Sequence, residues 1–213
     1  MSRGRVAAFA LVTLFLTSCA QIPSSGPIEQ GEQVRAPFDD PLIRVLPHPP
    51  QPGAKPEEVV QGFLAAEASF DDDHGVARQY LTDGASQTWN PDAGVVVIDD
   101  DPAPSLVATG HEVHLTAREV AFIGSDGSLK PRSGEVFKDK FVVRREGEEW
   151  RISKVPNGLH LTRLDVARTY RSYSLHFFTP DQERLVPDPV FVPVGHTGAA
   201  TSLVRSLLDG PTQ

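Results

Sequence analysis

The sequence predicts an α+β domain, helices first and then a run of antiparallel strands, and three observations carry that expectation. Apolar residues recur at helical spacing from Val59 to Phe70, the period changes to two after Gly94, and the later segments are separated by turns rather than by long helices. With 213 residues, 39% hydrophobic and 23% charged, the chain has enough apolar material for one domain or a domain and a half.

The first helix opens at Pro56, where the missing N–H is no loss, with Glu57 and Glu58 placed to complement the dipole. Val59, Val60, Phe63, Leu64, Ala66 and Phe70 make one apolar face. Asp71-Asp72-Asp73 then interrupts the pattern and is expected to cap a second helix, Gly75 to about Leu81, buried on Val76, Ala77, Tyr80 and Leu81. A short third turn from Ala85 delivers Trp89 to the core, where its indole N–H needs a partner.

Strands follow at Gly94 to Ile98 and, after a loop at Asp99 to Ser105, at His111 to Ile123, with Val113, Leu115 and Ala117 facing one way. Ser125 to Ser128 is a turn, and Val136 to Arg145 and Trp150 to Val155 form a hairpin through Glu146-Gly147-Glu148. Phe137, Phe141 and Val143 point inward on the first of these, and Trp150 and Ile152 on the second. This order, ending in Glu148-Glu149-Trp150-Arg151-Ile152, resembles the cystatin-like cone of the nuclear-transport-factor-like superfamily, helices covering one face of a curved antiparallel sheet, over residues 56–165.

After Leu164 the pattern restarts. Tyr170 to Phe178 and Leu185 to Val194 read as strands and Ala199 to Leu208 as an amphipathic helix, and Leu207-Leu208-Asp209-Gly210-Pro211 resembles the end of the first helix of a GerMN domain. Residues 170–213 are too few to bury a core unaided and are expected to be an incomplete GerMN domain. Phe178, Phe191 and Trp150 are expected in the core, while Tyr170, Tyr173 and Phe177 are candidates for the surface where the two parts meet.

The N-terminus carries a different signal. Arg3 and Arg5 precede the apolar run Val6 to Leu16, too short to span a bilayer and of the length of a signal-peptide core. It ends in Leu16-Thr17-Ser18-Cys19, which resembles a bacterial lipobox, and residues 1–18 are then a lipoprotein signal peptide. The resemblance implies an S-diacylglycerol on Cys19 and an acyl group on its amino terminus, palmitate among the chains such proteins carry. Two or three chains anchor firmly where one does not. A plain cleaved signal with an incidental cysteine is the alternative. Residues 19–55, with prolines at 23, 27, 37, 41, 47, 49, 50 and 52, are expected to be a tether reaching at most about 120 Å. Within it, Pro41 to Leu46 is apolar enough to pack on a domain or a sheet edge.

Lipobox, proline-rich tether, cone and GerMN segment, in that order, resemble the LpqB lipoprotein family, whose members continue into a β-propeller that is not reached here. The resemblance implies an accessory lipoprotein on the extracytoplasmic face of the cell membrane. It implies a part in two-component signalling, as a module that modulates an MtrB-like sensor histidine kinase and so envelope homeostasis. The alternative is a small-ligand or envelope-lipid binder using the cone cavity.

Chemistry is harder to find. The 20 Lys and Arg against 28 Asp and Glu argue against a nucleic-acid partner. His111 and His114 fall on opposite faces of a strand, and the triplets Asp71 to Asp73 and Asp99 to Asp101 lack the alternating spacing of a calcium loop, so no metal or other cofactor is expected. There is no nucleophile elbow or phosphate-cradling loop, and the single thiol is the lipidation site, so no catalytic residue and no enzyme activity are expected. Asp139 has the inward parity of Phe137 and Phe141 and is the acid that a cone pocket would use; a slipped register or a bulge would instead turn it to solvent.

Overall fold

A computed structural model describes residues 46–195 and 199–211. Leu16, Thr17, Ser18 and Cys19, with the rest of residues 1–45, lie outside them. Among the described residues no helix is long and apolar enough to cross a membrane.

Helix α1 (Pro56–Glu67) buries Val59, Val60, Phe63, Ala66 and Glu67, and its first turn is closed by Glu58 Oε2 accepting the Lys55 N–H at 2.8 Å. Helix α2 is shorter than expected, Gly75–Arg78. Its cap is His74 in the left-handed region, not an aspartate side chain, since Asp72, Asp73 and His74 run consecutively at φ of 53°, 52° and 59°. Arg78 holds that turn, its guanidinium 2.7 Å from Asp73 Oδ2 and 2.8 Å from the Asp73 carbonyl. Helix α3 (Asp83–Thr88) is capped by the Thr82 hydroxyl and delivers Trp89, which packs edge-to-face on Phe63 and donates its indole N–H to the Gly158 carbonyl at 3.3 Å.

The sheet contains β1 (Val95–Ile98), β2 (Ser105–Thr109), β3 (Glu112–Ile123), β4 (Leu129–Glu146), β5 (Glu149–Lys154) and β6 (Leu159–Thr162) in the order β5-β4-β3-β1-β6. Strand β3 shares one edge between two partners: β2 pairs with Glu112 to Thr116 and β1 with Glu119 to Ile123. Bulges between Glu119 and Ala121 and between Val142 and Val143 add twist, and the sheet curls around α1, which packs against β2, β3, β5 and β6. The fold is therefore α+β with an antiparallel-rich sheet. Strands β2 and β6 are additions to the sequence expectation, and β6 makes the sheet mixed by pairing parallel to β1. The outer edge of β5 is covered by the segment after α2, where the Thr82 N–H donates to the Ile152 carbonyl and the Ile152 N–H to the Tyr80 carbonyl, both at 2.9 Å.

The core follows the expected parity. Val113, Leu115, Phe141, Val143 and Ile152 are each at most 1% exposed. Trp150 is only half-buried, its ring beside His111 and under Arg145. At the N-terminal end the His48 carbonyl accepts the Tyr80 hydroxyl at 2.8 Å; of the Pro41 to Leu46 segment expected to pack, all but Leu46, which is 72% exposed, lies outside the described residues.

Helix α4 (Arg163–Thr169), closed by the reciprocal Thr162–Asp165 capping box, leads into the hairpin β7 (Tyr170–Phe178) and β8 (Leu185–Pro193), followed by α5 (Ala199–Asp209). The hairpin is a separate two-stranded sheet that docks through β8: the Phe191 N–H donates to the Gly127 carbonyl at 2.8 Å, and Val190 and Val192 are buried. Gly127 has φ of +82°, and a side chain there would meet the Phe191 carbonyl at 2.5 Å, so this docking requires glycine. Phe178, expected in the core, is 65% exposed at the far end of the hairpin, because only the strand ends near Tyr170 and Pro193 reach the larger sheet.

Candidate functional site

The inner face of the sheet holds one cluster of ionisable groups. Asp139 lies directly opposite Leu115 in the β3–β4 register, between Phe137 and Phe141, and so points inward. Its Oδ2 is 3.1 Å from Nε2 of His160, which is 4% exposed. On the other side of His160 stands Glu67, wholly buried at the last position of α1. Glu67 Oε2 accepts the His160 backbone N–H at 2.7 Å and lies 3.5 Å from the same residue's Nδ1.

The local sequence explains this arrangement. Strand β6 is the outermost strand and pairs only with β1 in the sheet, so His160 must find a partner for its outward amide. The Glu67 carboxylate supplies it. A carboxylate at a helix C-terminus opposes the dipole, and the cationic His160 ring offsets that cost. The rings of Phe137 and Phe141, each 5.8 Å from the imidazole, keep the cluster in apolar surroundings.

The electrostatics follow from burial and proximity. Burial alone would lower the pKa of His160, but Glu67 and Asp139 together overcome it and hold the imidazole at about 9, so it is a cation at neutral pH. Burial raises the Glu67 pKa, and His160 opposes that shift. Glu67 Oε1 and His160 Nδ1 have no hydrogen-bond partner. His160, with 2% of its side chain exposed, is thus fixed between two carboxylates.

Glu67 and His160 were not anticipated from the sequence. Glu67 falls between Phe63 and Phe70 on the apolar stripe of α1, and a charge at that spacing is a legible signal. His160 has the weaker signal of a polar residue between Leu159 and Leu161 in a short strand. The structure does not bring the other candidates together: His111 packs on Trp150, and His114 is half-exposed beside Glu112. Among the described residues no group of three His, Cys, Asp or Glu is placed to hold a metal ion.

Cavities of about 260 Å³, near Gln51 and Tyr80, and about 660 Å³, between the Phe70–His74 turn and β8, lie elsewhere; neither is lined by Glu67, Asp139 or His160.

The family profile "Lipoprotein LpqB, N-terminal domain" matches residues 49–167. Proteins named Lipoprotein LpqB from Thermobifida fusca and Cutibacterium acnes are each 36% identical to the chain, over 95% and 89% of it. One from Streptomyces coelicolor is 32% identical over 98%. The aligned parts cover 34%, 32% and 37% of those proteins, so the chain spans about a third of the length of the curated relatives it matches. No solved structure gives a significant match.

Proposed function

The chain belongs to the LpqB lipoprotein family, and from that premise we propose that it is an extracytoplasmic, membrane-anchored accessory protein that modulates a sensor histidine kinase and thereby envelope homeostasis, without being an enzyme. The relatives' name and the Leu16-Thr17-Ser18-Cys19 motif support the anchor, with the lipid on Cys19. The observation that carries the non-catalytic reading is the filled inner face of the sheet, where Phe63, Leu115, Phe141, Ile152 and Leu161 are all at most 1% exposed. An enzyme of this architecture needs substrate to reach its acid or base. Here the two acids of the interior cluster, Asp139 and Glu67, both face His160. The same filling weighs against the alternative of a small-ligand or envelope-lipid binder using the interior of the cone.

The partner is a sensor kinase of the MtrB type, reached across the membrane surface. The test is affinity purification from cross-linked membranes with a C-terminal tag on the chain and an unanchored Cys19→Ala control. Recovery of a histidine kinase with the anchored form alone is the expected result; recovery with neither form overturns the proposal for this part of the protein.

A further inference from the structure

The outer face of the sheet, turned away from α1, carries a charge opposite to that of the chain. Residues directly opposite one another on paired strands point to the same side. Val113, Leu115 and Phe141 point into the core, so the residues that alternate with them on β3 and β4 point outward. One outward row runs through Val107, His114 and Lys140 across β2, β3 and β4. To one side Thr116 stands opposite Lys138, and beyond them Arg118 opposite Val136. To the other side Glu112 and Val142 lead to Lys154 on β5. Four cations thus stand against a single carboxylate, on a chain whose formal net charge is −8.

Most of this charge is not neutralised within the protein. Glu112 is paired with Lys140 at 2.8 Å, whereas Arg118, Lys138 and Lys154 are exposed and in no ion pair among the described residues. Neighbouring cations differ: Arg132 pairs with Glu119 at 3.1 Å, Arg144 with Glu146 at 2.6 Å, and Arg151 with Glu149. A second, independent feature is apolar. Val107 and Val136 are 56% and 69% exposed on this face, where the solvated side of an antiparallel sheet is ordinarily polar. Cations interleaved with apolar side chains fit the boundary between lipid headgroups and acyl chains.

We propose that this face of β2, β3, β4 and β5 rests on the anionic surface of the bilayer to which the chain is anchored, with Arg118, Lys138 and Lys154 on lipid phosphates and Val107 and Val136 at the headgroup boundary. The proposal rests on the anchored reading given above. Each cation adds only a modest attraction, but a tether holds the face at high effective concentration beside the membrane, so a weak attraction suffices. The rest of the acidic surface is repelled, so the contact also sets orientation, with the α1 side turned away from the lipid. The exposed valines favour a bilayer over an acidic protein, which has no apolar layer for them to enter.

The full chain, purified from membranes, is reconstituted on vesicles of phosphatidylcholine alone or of equal parts phosphatidylcholine and phosphatidylglycerol. Flotation reads the anchor, and the rate of lysine acetylation, followed by mass spectrometry, reads the face. Lys138, Lys140 and Lys154 are expected to react severalfold more slowly on the mixed vesicles. Lys55, exposed at the start of α1, is expected to react equally on both, and high salt to remove the difference. The double variant Arg118→Glu/Lys138→Glu, at two exposed positions outside the core, is expected to return Lys140 and Lys154 to their rates on phosphatidylcholine. Equal rates on the two vesicles, protection of Lys55 to the same extent, or protection that survives the double variant overturns the proposal. Flotation without protection keeps the anchor and overturns this face alone, leaving an acidic protein as its partner. Failure to float with phosphatidylcholine counts against the anchor, while the rates on mixed vesicles still decide the face.

Discussion

The Glu67 carboxylate meets His160 at two points, accepting its backbone N–H at 2.7 Å and facing its imidazole Nδ1 at 3.5 Å, so that one buried side chain both closes the edge of β6 and ties α1 to it. The pair is a constraint on how helix and strand register, rather than an ornament of the core.

Breaking it from one side leaves a buried charge and an unmet amide. Glu67→Ala is therefore expected to destabilise the domain by about 3–5 kcal/mol in urea unfolding. The double variant Glu67→Leu/His160→Phe removes both charges together and is expected to lose less than the single one. A double variant that loses as much as the two single variants combined would contradict the coupling.

The pH dependence follows from the same group. His160 is held at about 9 in the folded state against an ordinary 6.5, so its stabilising contribution is complete below pH 6.5 and is lost as the pH rises through 9. The loss amounts to roughly 3 kcal/mol. Glu67, whose pKa burial also raises, acts in the same direction, its contribution falling as it ionises. Urea midpoints from pH 6 to 10 are expected to fall with a slope that Asp139→Asn reduces, because that variant removes one of the two carboxylates facing His160. An equal slope in both proteins would place the titration elsewhere.

Gly158 joins the helical layer to the sheet. Its carbonyl accepts the Trp89 indole, its φ is +89°, and a side chain would meet the Gly94 carbonyl oxygen at 2.6 Å. Gly158→Ala is expected to cost about 2–4 kcal/mol and to shift Trp89 fluorescence. Gly53→Ala, at φ of +76° with open space around it, pays only for the backbone and is expected to cost about 1 kcal/mol. Thermal melts of the two variants give the comparison directly.

What was legible in the sequence is what local periodicity controls. The inward parity of Val113, Leu115, Phe141 and Ile152, the opening of α1 at Pro56 and the need of Trp89 for a partner all have local causes, and each is found. Strand β6 was not legible: Leu159 to Thr162 is four residues long and is defined by its parallel pairing to β1, which lies more than sixty residues earlier in the chain. Strand β2 was hidden because its exposed and half-buried residues alternate without a strong apolar face. Asp71 to Asp73 looked like a helix cap because aspartates favour that position, but the left-handed turn ending at His74 takes the cap for itself. Of the polar cluster, parity made Asp139 visible, whereas its meaning depended on Glu67 and His160, which only the tertiary fold brings to it.

The proposed action of the anchored chain on a sensor kinase is open to direct test. The direct measurement is the autophosphorylation rate of an MtrB-type histidine kinase in membranes carrying either the anchored chain or its Cys19→Ala form at equal total amounts. A rate altered by the anchored form alone is the predicted result. The same rate with the anchored form, the unanchored form and neither would contradict the account.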